Sequence, residues 1–247
     1  MRRESRAVLF DLDDTIYPQR RFVLSGLAAV ARELAASHQA PERATFRLLV
    51  RAMRGPDRGR ELQACLQALG LSPLLLQSLV GVMRAHRPAL RLPRESSRML
   101  EALRATWRVG VVTNGHPAVQ ARKVTALGLQ PYVDTVVYAV EHGSGLGKPD
   151  VVPFHTALTR LGVASDRALF VGDSEACDIL GAARAGLRTL LLRRPGAAQR
   201  DTASAADAVV RRLAEVPRVA ERLMREERGG VSRQSRVVSC ESWVTSR

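Results

Sequence analysis

The stretch "DLDDT" places Asp11, Asp13 and Asp14 within four residues, directly behind the apolar run Ala7–Phe10. Like charges crowded at the end of a buried strand repel one another, so they are tolerated where cations offset them. Three other stretches carry matching chemistry: "TNG" (Thr113, Asn114, Gly115), Lys148 in "GLGKPD", and "GDSEACD" with Asp173, Ser174 and Asp178. Hard carboxylate oxygens suit Mg²⁺. Mg²⁺ together with a lysine and backbone amides forms a site for a phosphate group.

For these groups to meet, the fold must bring four distant loops together. Residues 7–10 are expected as a short buried strand, followed from Arg21 to about His86 by helical periodicity alone, punctuated by Pro41, Gly55-Pro56 and Ser72-Pro73. About four helices are expected there. Beyond Pro93 the pattern alternates: "WRVGVVTNG", "VDTVVYA", "RALFVGD" and "RTLLLR" are strand-like, each preceded by a helical stretch. Strands this apolar, alternating with helices, indicate a parallel sheet covered on both faces. In such a sheet, ligands bind beyond the carboxyl ends of the strands. There Asp11, Asp13, Thr113, Lys148, Asp173 and Asp178 would share one rim. The expected organisation is a core of residues 1–17 and 93–224, a helical insert over 18–92, and a mobile tail over 225–247. Residues 203–224 are expected as one amphipathic helix.

The formal charge of +14 invites a nucleic-acid reading. Two features argue against it as the main role. All but two of the 38 basic residues are arginine, scattered as a coding bias would scatter them, and aromatics make up only 4% of the chain. No apolar run approaches the ~20 residues of a membrane span. The basic N-terminus runs straight into aspartates rather than a signal-peptide core, so a cytoplasmic protein without a membrane partner is expected. Cys65, Cys177 and Cys240 have no metal-ligand spacing. "HGSGLGKP" fails as a Walker A loop, because His142 holds the first glycine position and Pro149 the Ser/Thr position.

The four segments, in this order, resemble the four motifs of the haloacid dehalogenase-like (HAD) hydrolase superfamily: "DLDDT" its DxDx[TV], Thr113 its second, Lys148 before Pro149 its third, and "GDSEACD" its GDxxxxD. The resemblance runs over about residues 7–192. It implies an α/β fold, a Rossmann-like parallel sheet, with the helical insert as a C1-type cap like that of the phosphoglycolate-phosphatase and β-phosphoglucomutase branches.

It also implies roles. Asp11 would attack phosphorus to form an aspartyl-phosphate. Asp13 would protonate the leaving alcohol and then activate water, while its backbone carbonyl helps hold the Mg²⁺ cofactor. Thr113, Asn114 and the Gly115 amide would bind the phosphoryl oxygens, and Lys148 would pair with nucleophile and phosphate. Asp173 would be the Mg²⁺ ligand beside Asp11. Asp178 would orient Lys148 or a metal-bound water, with Ser174 and Glu175 in support. An acid at position 13 favours phosphoryl transfer over carbon–halogen cleavage, because halide leaves without a proton. The implied activity is hydrolysis of a small phosphorylated metabolite. A phosphomutase of the β-phosphoglucomutase type, or a non-catalytic anion-binding module, would share the motifs.

Outside the motifs, Asp14 is expected as a turn residue, and the five histidines, which lack metal-ligand spacing, are expected to be peripheral, with a minor role at the site rim as the alternative for His116. Tyr17, Arg20 and Arg21 are expected as substrate contacts. Lys123 is expected as a solvated surface residue of a helix. Over residues 20–92, 12 arginines stand against 4 acids, which suits an anionic substrate or the same coding bias.

Overall fold

Strand β1 (Ala7–Phe10) is wholly buried and pairs in parallel with strands on both sides, β2 (Arg108–Thr113) and β4 (Ala168–Gly172). A computed structural model describes residues 5–194 and 203–226. The sheet continues through β3 (Thr135–Tyr138) beyond β2, and through β5 (Arg188–Leu192) and β6 (Ala208–Val210) beyond β4. The order is β3-β2-β1-β4-β5-β6, parallel throughout. Strand order therefore reverses between β1 and β4. At such a switch point the connecting loops diverge and leave a crevice at the carboxyl ends.

Five helices lie in the same unit: α5 (Arg94–Arg104), α6 (Pro117–Leu127), α7 (Val152–Leu161), α8 (Leu180–Arg184) and α9 (Val216–Arg225). On one side of the sheet Leu9, Val112, Val137 and Phe170 pack with Phe154, Ala157 and Leu158 of α7. The Phe154 and Phe170 rings meet edge to face, with centroids 4.9 Å apart. Because β1 and β4 are buried along their whole length, the strand ends are the place where polar side chains can collect.

Residues 19–90 form a separate compact unit. It contains α1 (Arg20–His38), α2 (Glu42–Arg54), α3 (Glu61–Ala68) and α4 (Leu76–Ala85). Their apolar faces pack around Leu27, Val30, Leu34, Leu49, Leu62, Leu66 and Leu79. Buried Cys65 belongs to this core.

The expected single helix over 203–224 is not what forms. "AVV" at 208–210 adds a sixth strand on β5, and α9 starts only at Val216, with Pro217 in its first turn. Apolar β-branched residues won over the helical pattern because an open sheet edge was available. The helix expected from Ala176 opens instead as a π-helical turn, Glu175–Ile179. Of the expected tail, residues 227–247 lie outside the described residues, as does Cys240. No helix among the described residues is long and apolar enough to cross a membrane.

Candidate active site

Asp11 directly follows β1, and its amide donates to the Val171 carbonyl at 2.9 Å, tying the first loop to β4. Lys148, from the loop after β3, reaches the same point. Its Nζ donates to Asp11 Oδ1 at 2.6 Å and lies 2.7 Å from Asp178 Oδ1. All three side chains are buried, and the ammonium lies 5.4 Å from the centroid of the Phe170 ring. The lysine loop is fixed by a two-way amide bridge: Asn114 Nδ2 donates to the Lys148 carbonyl (3.0 Å), and the Lys148 amide donates to Asn114 Oδ1 (2.8 Å). Gly147, at φ +76°, makes this approach possible, since a Cβ there would meet the Asn114 carboxamide.

Asp178 is seated by the turn after β4. The Ser174 amide donates to its Oδ2 at 3.0 Å. Gly172 leaves room for the side chain; a Cβ at that position would lie 2.5 Å from Asp178 Cγ. The first glycine of "GDSEACD" is thus a packing requirement of its last aspartate.

Carboxylate oxygens of Asp11, Asp173 and Asp178 lie within 4.8 Å of one another. Three acids face the single ammonium of Lys148. The imbalance appears in their acidity. Burial above all pushes Asp11 up to about 7; Lys148 pulls the other way, and repulsion from Asp178 and Asp13 adds to the rise. Burial first, then Asp11 and Asp178, pushes Asp173 up to about 8. Burial works against the Lys148 charge, but Asp11 and Asp178 raise its pKa above the ordinary lysine value. A buried set of hard oxygens still short of positive charge fits a divalent cation such as Mg²⁺. Asp178, expected as a supporting residue, joins this cluster, and the Asp13 side chain does not.

Asp13 has different company. Lys123 Nζ donates to both its oxygens (2.9 and 2.7 Å), the Tyr17 hydroxyl donates to Oδ1 (2.6 Å), and Gln120 Nε2 lies 2.9 Å from Oδ2. Two residues here depart from expectation. Lys123 is not a solvated surface residue but a buried ion-pair partner, with its side chain 5% exposed. Tyr17 is fully buried against Asp13 rather than open to a substrate. Burial, then Asp13, drives its hydroxyl pKa well above the ordinary phenol value. The signal for Lys123 was in the helix phase. Gln120, Lys123, Val124 and Leu127 follow i, i+3, i+4, i+7 and together form the buried face of α6.

The remaining candidates have other settings. Thr113, at the end of β2, is buried and accepts from Gln120 Nε2 at 2.6 Å, while its own hydroxyl donates to the Asn114 carbonyl at a long 3.4 Å. Gly115 turns the chain at φ +105°. The Asn114 side chain, expected on a phosphoryl group, is engaged with the Lys148 backbone instead. Glu175 turns away to accept from Ser204 Oγ (2.8 Å) and the Ala205 amide (2.6 Å), outside the acidic cluster. Asp14 takes a left-handed turn conformation (φ +58°) and is exposed. His116 is exposed before α6, and Arg20 and Arg21 are exposed in the first turn of α1. One residue had no sequence signal: Arg194, past β5, donates to the carbonyls of Asp14 (3.3 Å) and Thr15 (2.8 Å) and holds the first loop from behind.

Known proteins with this sequence pattern and fold bear on the site. Residues 5–186 match the family model of haloacid dehalogenase-like hydrolases. A glyceraldehyde 3-phosphate phosphatase of Methanothermobacter thermautotrophicus is 29% identical over 199 residues, covering 76% of this chain and 85% of that protein. A ribulose-1,5-bisphosphate 5-phosphatase of Halopiger xanaduensis is 31% identical over 201 residues, covering 75% and 83%. Among solved structures, a 2-haloacid dehalogenase from Pseudomonas syringae pv. Tomato superposes with a TM-score of 0.61 at 29% identity, covering 89% of this chain and 99% of that one. With four polar loops converging on one rim of a parallel sheet, and a family model spanning all four, the chain belongs to the haloacid dehalogenase-like hydrolases.

Proposed function

We propose that this protein is a Mg²⁺-dependent phosphohydrolase that cleaves a small phosphate monoester through an aspartyl-phosphate on Asp11. One observation carries the reading: Lys148 is buried between Asp11 and Asp178, with Asp173 completing a triad of carboxylates within 4.8 Å. Asp11 and Asp173 would hold the cation together with the Asp13 carbonyl. The cation would supply charge that lets an anionic phosphoryl group approach an anionic nucleophile.

The chain's own residues supply the rest. Lys148 neutralises Asp11 while leaving it a nucleophile, and its fixed loop keeps the ammonium where the phosphoryl oxygens arrive. The Thr113 hydroxyl, held by Gln120 but only weakly bonded to Asn114, turns its hydrogen to a phosphoryl oxygen, and the Gly115 amide provides a second donor. Asp13 gives its proton to the leaving alcohol, then takes one from the water that opens the aspartyl-phosphate. That proton favours P–O over carbon–halogen cleavage, where the departing halide needs none. We read the helical unit over residues 18–92 as the cap of this fold and residues 1–17 and 93–224 as its catalytic body.

The test is release of inorganic phosphate from a panel of sugar phosphates, nucleoside monophosphates and phosphoglycolate. Release that requires Mg²⁺ and stops on chelation is expected. No turnover of any ester, or turnover indifferent to Mg²⁺, contradicts the reading.

A further inference from the structure

We propose that Lys123, with Gln120 and Tyr17, is a positioning set that holds the Asp13 carboxyl in the orientation needed for proton transfer to the leaving oxygen. The inference rests on the reading of Asp13 as the acid and base of phosphoester cleavage. It adds residues that lie outside all four motifs.

The geometry is unusually complete for a residue on a loop. Three side chains from two elements converge on one carboxyl group. Tyr17 comes from the turn after β1 and donates to Oδ1; Lys123 and Gln120, three residues apart on α6, reach Oδ1 and Oδ2. Lys123 and Tyr17 are buried, and so is Gln120. Burying a lysine is costly unless it is paired, and Asp13 supplies the opposite charge. A structural ion pair of the core needs no more than the lysine. Here the same carboxyl also takes a tyrosine and an amide, which leaves the side chain little freedom to rotate. A proton transfer depends on such orientation, and misplacement by about 1 Å can cost on the order of 10²-fold in rate.

Gln120 is the most divided of the three. Its Nε2 carries two hydrogens but faces three acceptors: Thr113 Oγ1 (2.6 Å), the Asn114 carbonyl (2.6 Å) and Asp13 Oδ2 (2.9 Å). The longest of these, to Asp13, is the one most easily given up, while Lys123 Nζ still holds Oδ2 at 2.7 Å and Oδ1 at 2.9 Å. In the step itself the Asp11 oxygen–phosphorus bond forms and the ester P–O bond breaks. The leaving oxygen takes the electron pair of that bond and a proton that Asp13, a carboxylate beside Lys123 in this structure, first takes up from solvent. The same amide braces the Thr113 hydroxyl, so α6 ties the proton donor to the phosphoryl pocket.

The test is a leaving-group comparison in single turnover, reading alcohol or phenol release from an alkyl phosphate and from 2,4-dinitrophenyl phosphate with Mg²⁺ present. A dinitrophenolate leaves without help, whereas an alkoxide needs the proton. In Lys123→Met, which keeps the length of the stem, the ratio of alkyl to dinitrophenyl rate is expected to fall about 10–100-fold. Tyr17→Phe, which removes one oxygen, is expected to move it the same way by about 3–10-fold and serves if Lys123→Met does not fold. An unchanged ratio in folded variants, whether both rates fall together or neither does, overturns the proposal, because a merely structural role is blind to the leaving group. Asp13→Asn separates the two levels. If it too leaves the ratio unchanged, the assignment of Asp13 as acid fails and the positioning role falls with it. If it collapses the ratio and the Lys123 and Tyr17 variants do not, only the positioning role is wrong.

Discussion

Lys148 Nζ lies 2.6 Å from Asp11 Oδ1, with both side chains buried, although 137 residues separate them. A nucleophile must be anionic, and burial in an acidic cluster works against that. The lysine is what reconciles the two. A second carboxylate, Asp178 at 2.7 Å, keeps the ammonium from closing entirely onto the nucleophile.

Replacing Lys148 with Met is therefore expected to lower kcat by about 10²–10³-fold, the scale of losing one charge-stabilising donor. It also leaves Asp11 and Asp178 without their cation, which is expected to destabilise the metal-free protein at neutral pH by about 3–5 kcal/mol. Lys148→Arg is not expected to rescue activity, since a planar fork cannot replace a point charge between two carboxylates. Steady-state kinetics and urea denaturation check both statements.

Acidity gives a signed expectation. Asp11 at about 7 and Asp173 at about 8 stand well above the 3.8 of an unfolded aspartate. In that window the folded protein binds more protons than the unfolded chain, so stability falls as pH rises. The metal-free protein is expected to be most stable below about pH 4 with respect to these two groups, and to lose that contribution progressively up to about pH 8. Mg²⁺, which needs the carboxylates ionised, is expected to bind more tightly at about pH 8 than at about pH 6 and to release protons on binding. Thermal denaturation against pH, with and without Mg²⁺, reads both trends. A rise in metal-free stability from about pH 5 to about pH 8 that tracks these groups would contradict the assignment.

Gly172→Ala tests the seating of Asp178. The added Cβ would lie 2.5 Å from Asp178 Cγ, so the carboxylate must move off Lys148. A loss of about 1–3 kcal/mol is expected, the usual cost of forcing a group into a filled space, together with a fall in kcat. Unchanged stability and activity would mean that the turn can relax around the methyl group.

Much of this was legible in the sequence, and for a physical reason. Ala7–Phe10 and Ala168–Gly172 are buried on both faces, so their apolar runs end abruptly where the chain emerges at the rim. Asp11 and Asp173 stand at those ends, whereas Lys148 lies in the loop after β3 and is picked out by its place in the motif resemblance. Lys123 could not be read from its residue type, because a lysine on a helix is usually solvated. Only the phase of α6 revealed it, and the phase needs Val124 and Leu127 to be known as core. Asn114 misled for the opposite reason: its place beside Thr113 suggested a ligand contact, while its side chain serves the lysine loop. Strand β6 was missed because three residues carry too little periodicity to outweigh a longer helical pattern.

The central claim is that Asp11 carries the phosphoryl group. Rapid quenching of the enzyme during turnover of a phosphate ester with Mg²⁺, followed by borohydride reduction and peptide mass spectrometry, reads it directly. An acyl phosphate is reduced to an alcohol, so homoserine is expected at position 11, and at no other aspartate. Its appearance at Asp13 or Asp173, or its absence from a quenched enzyme trapped in mid-turnover, would contradict the claim.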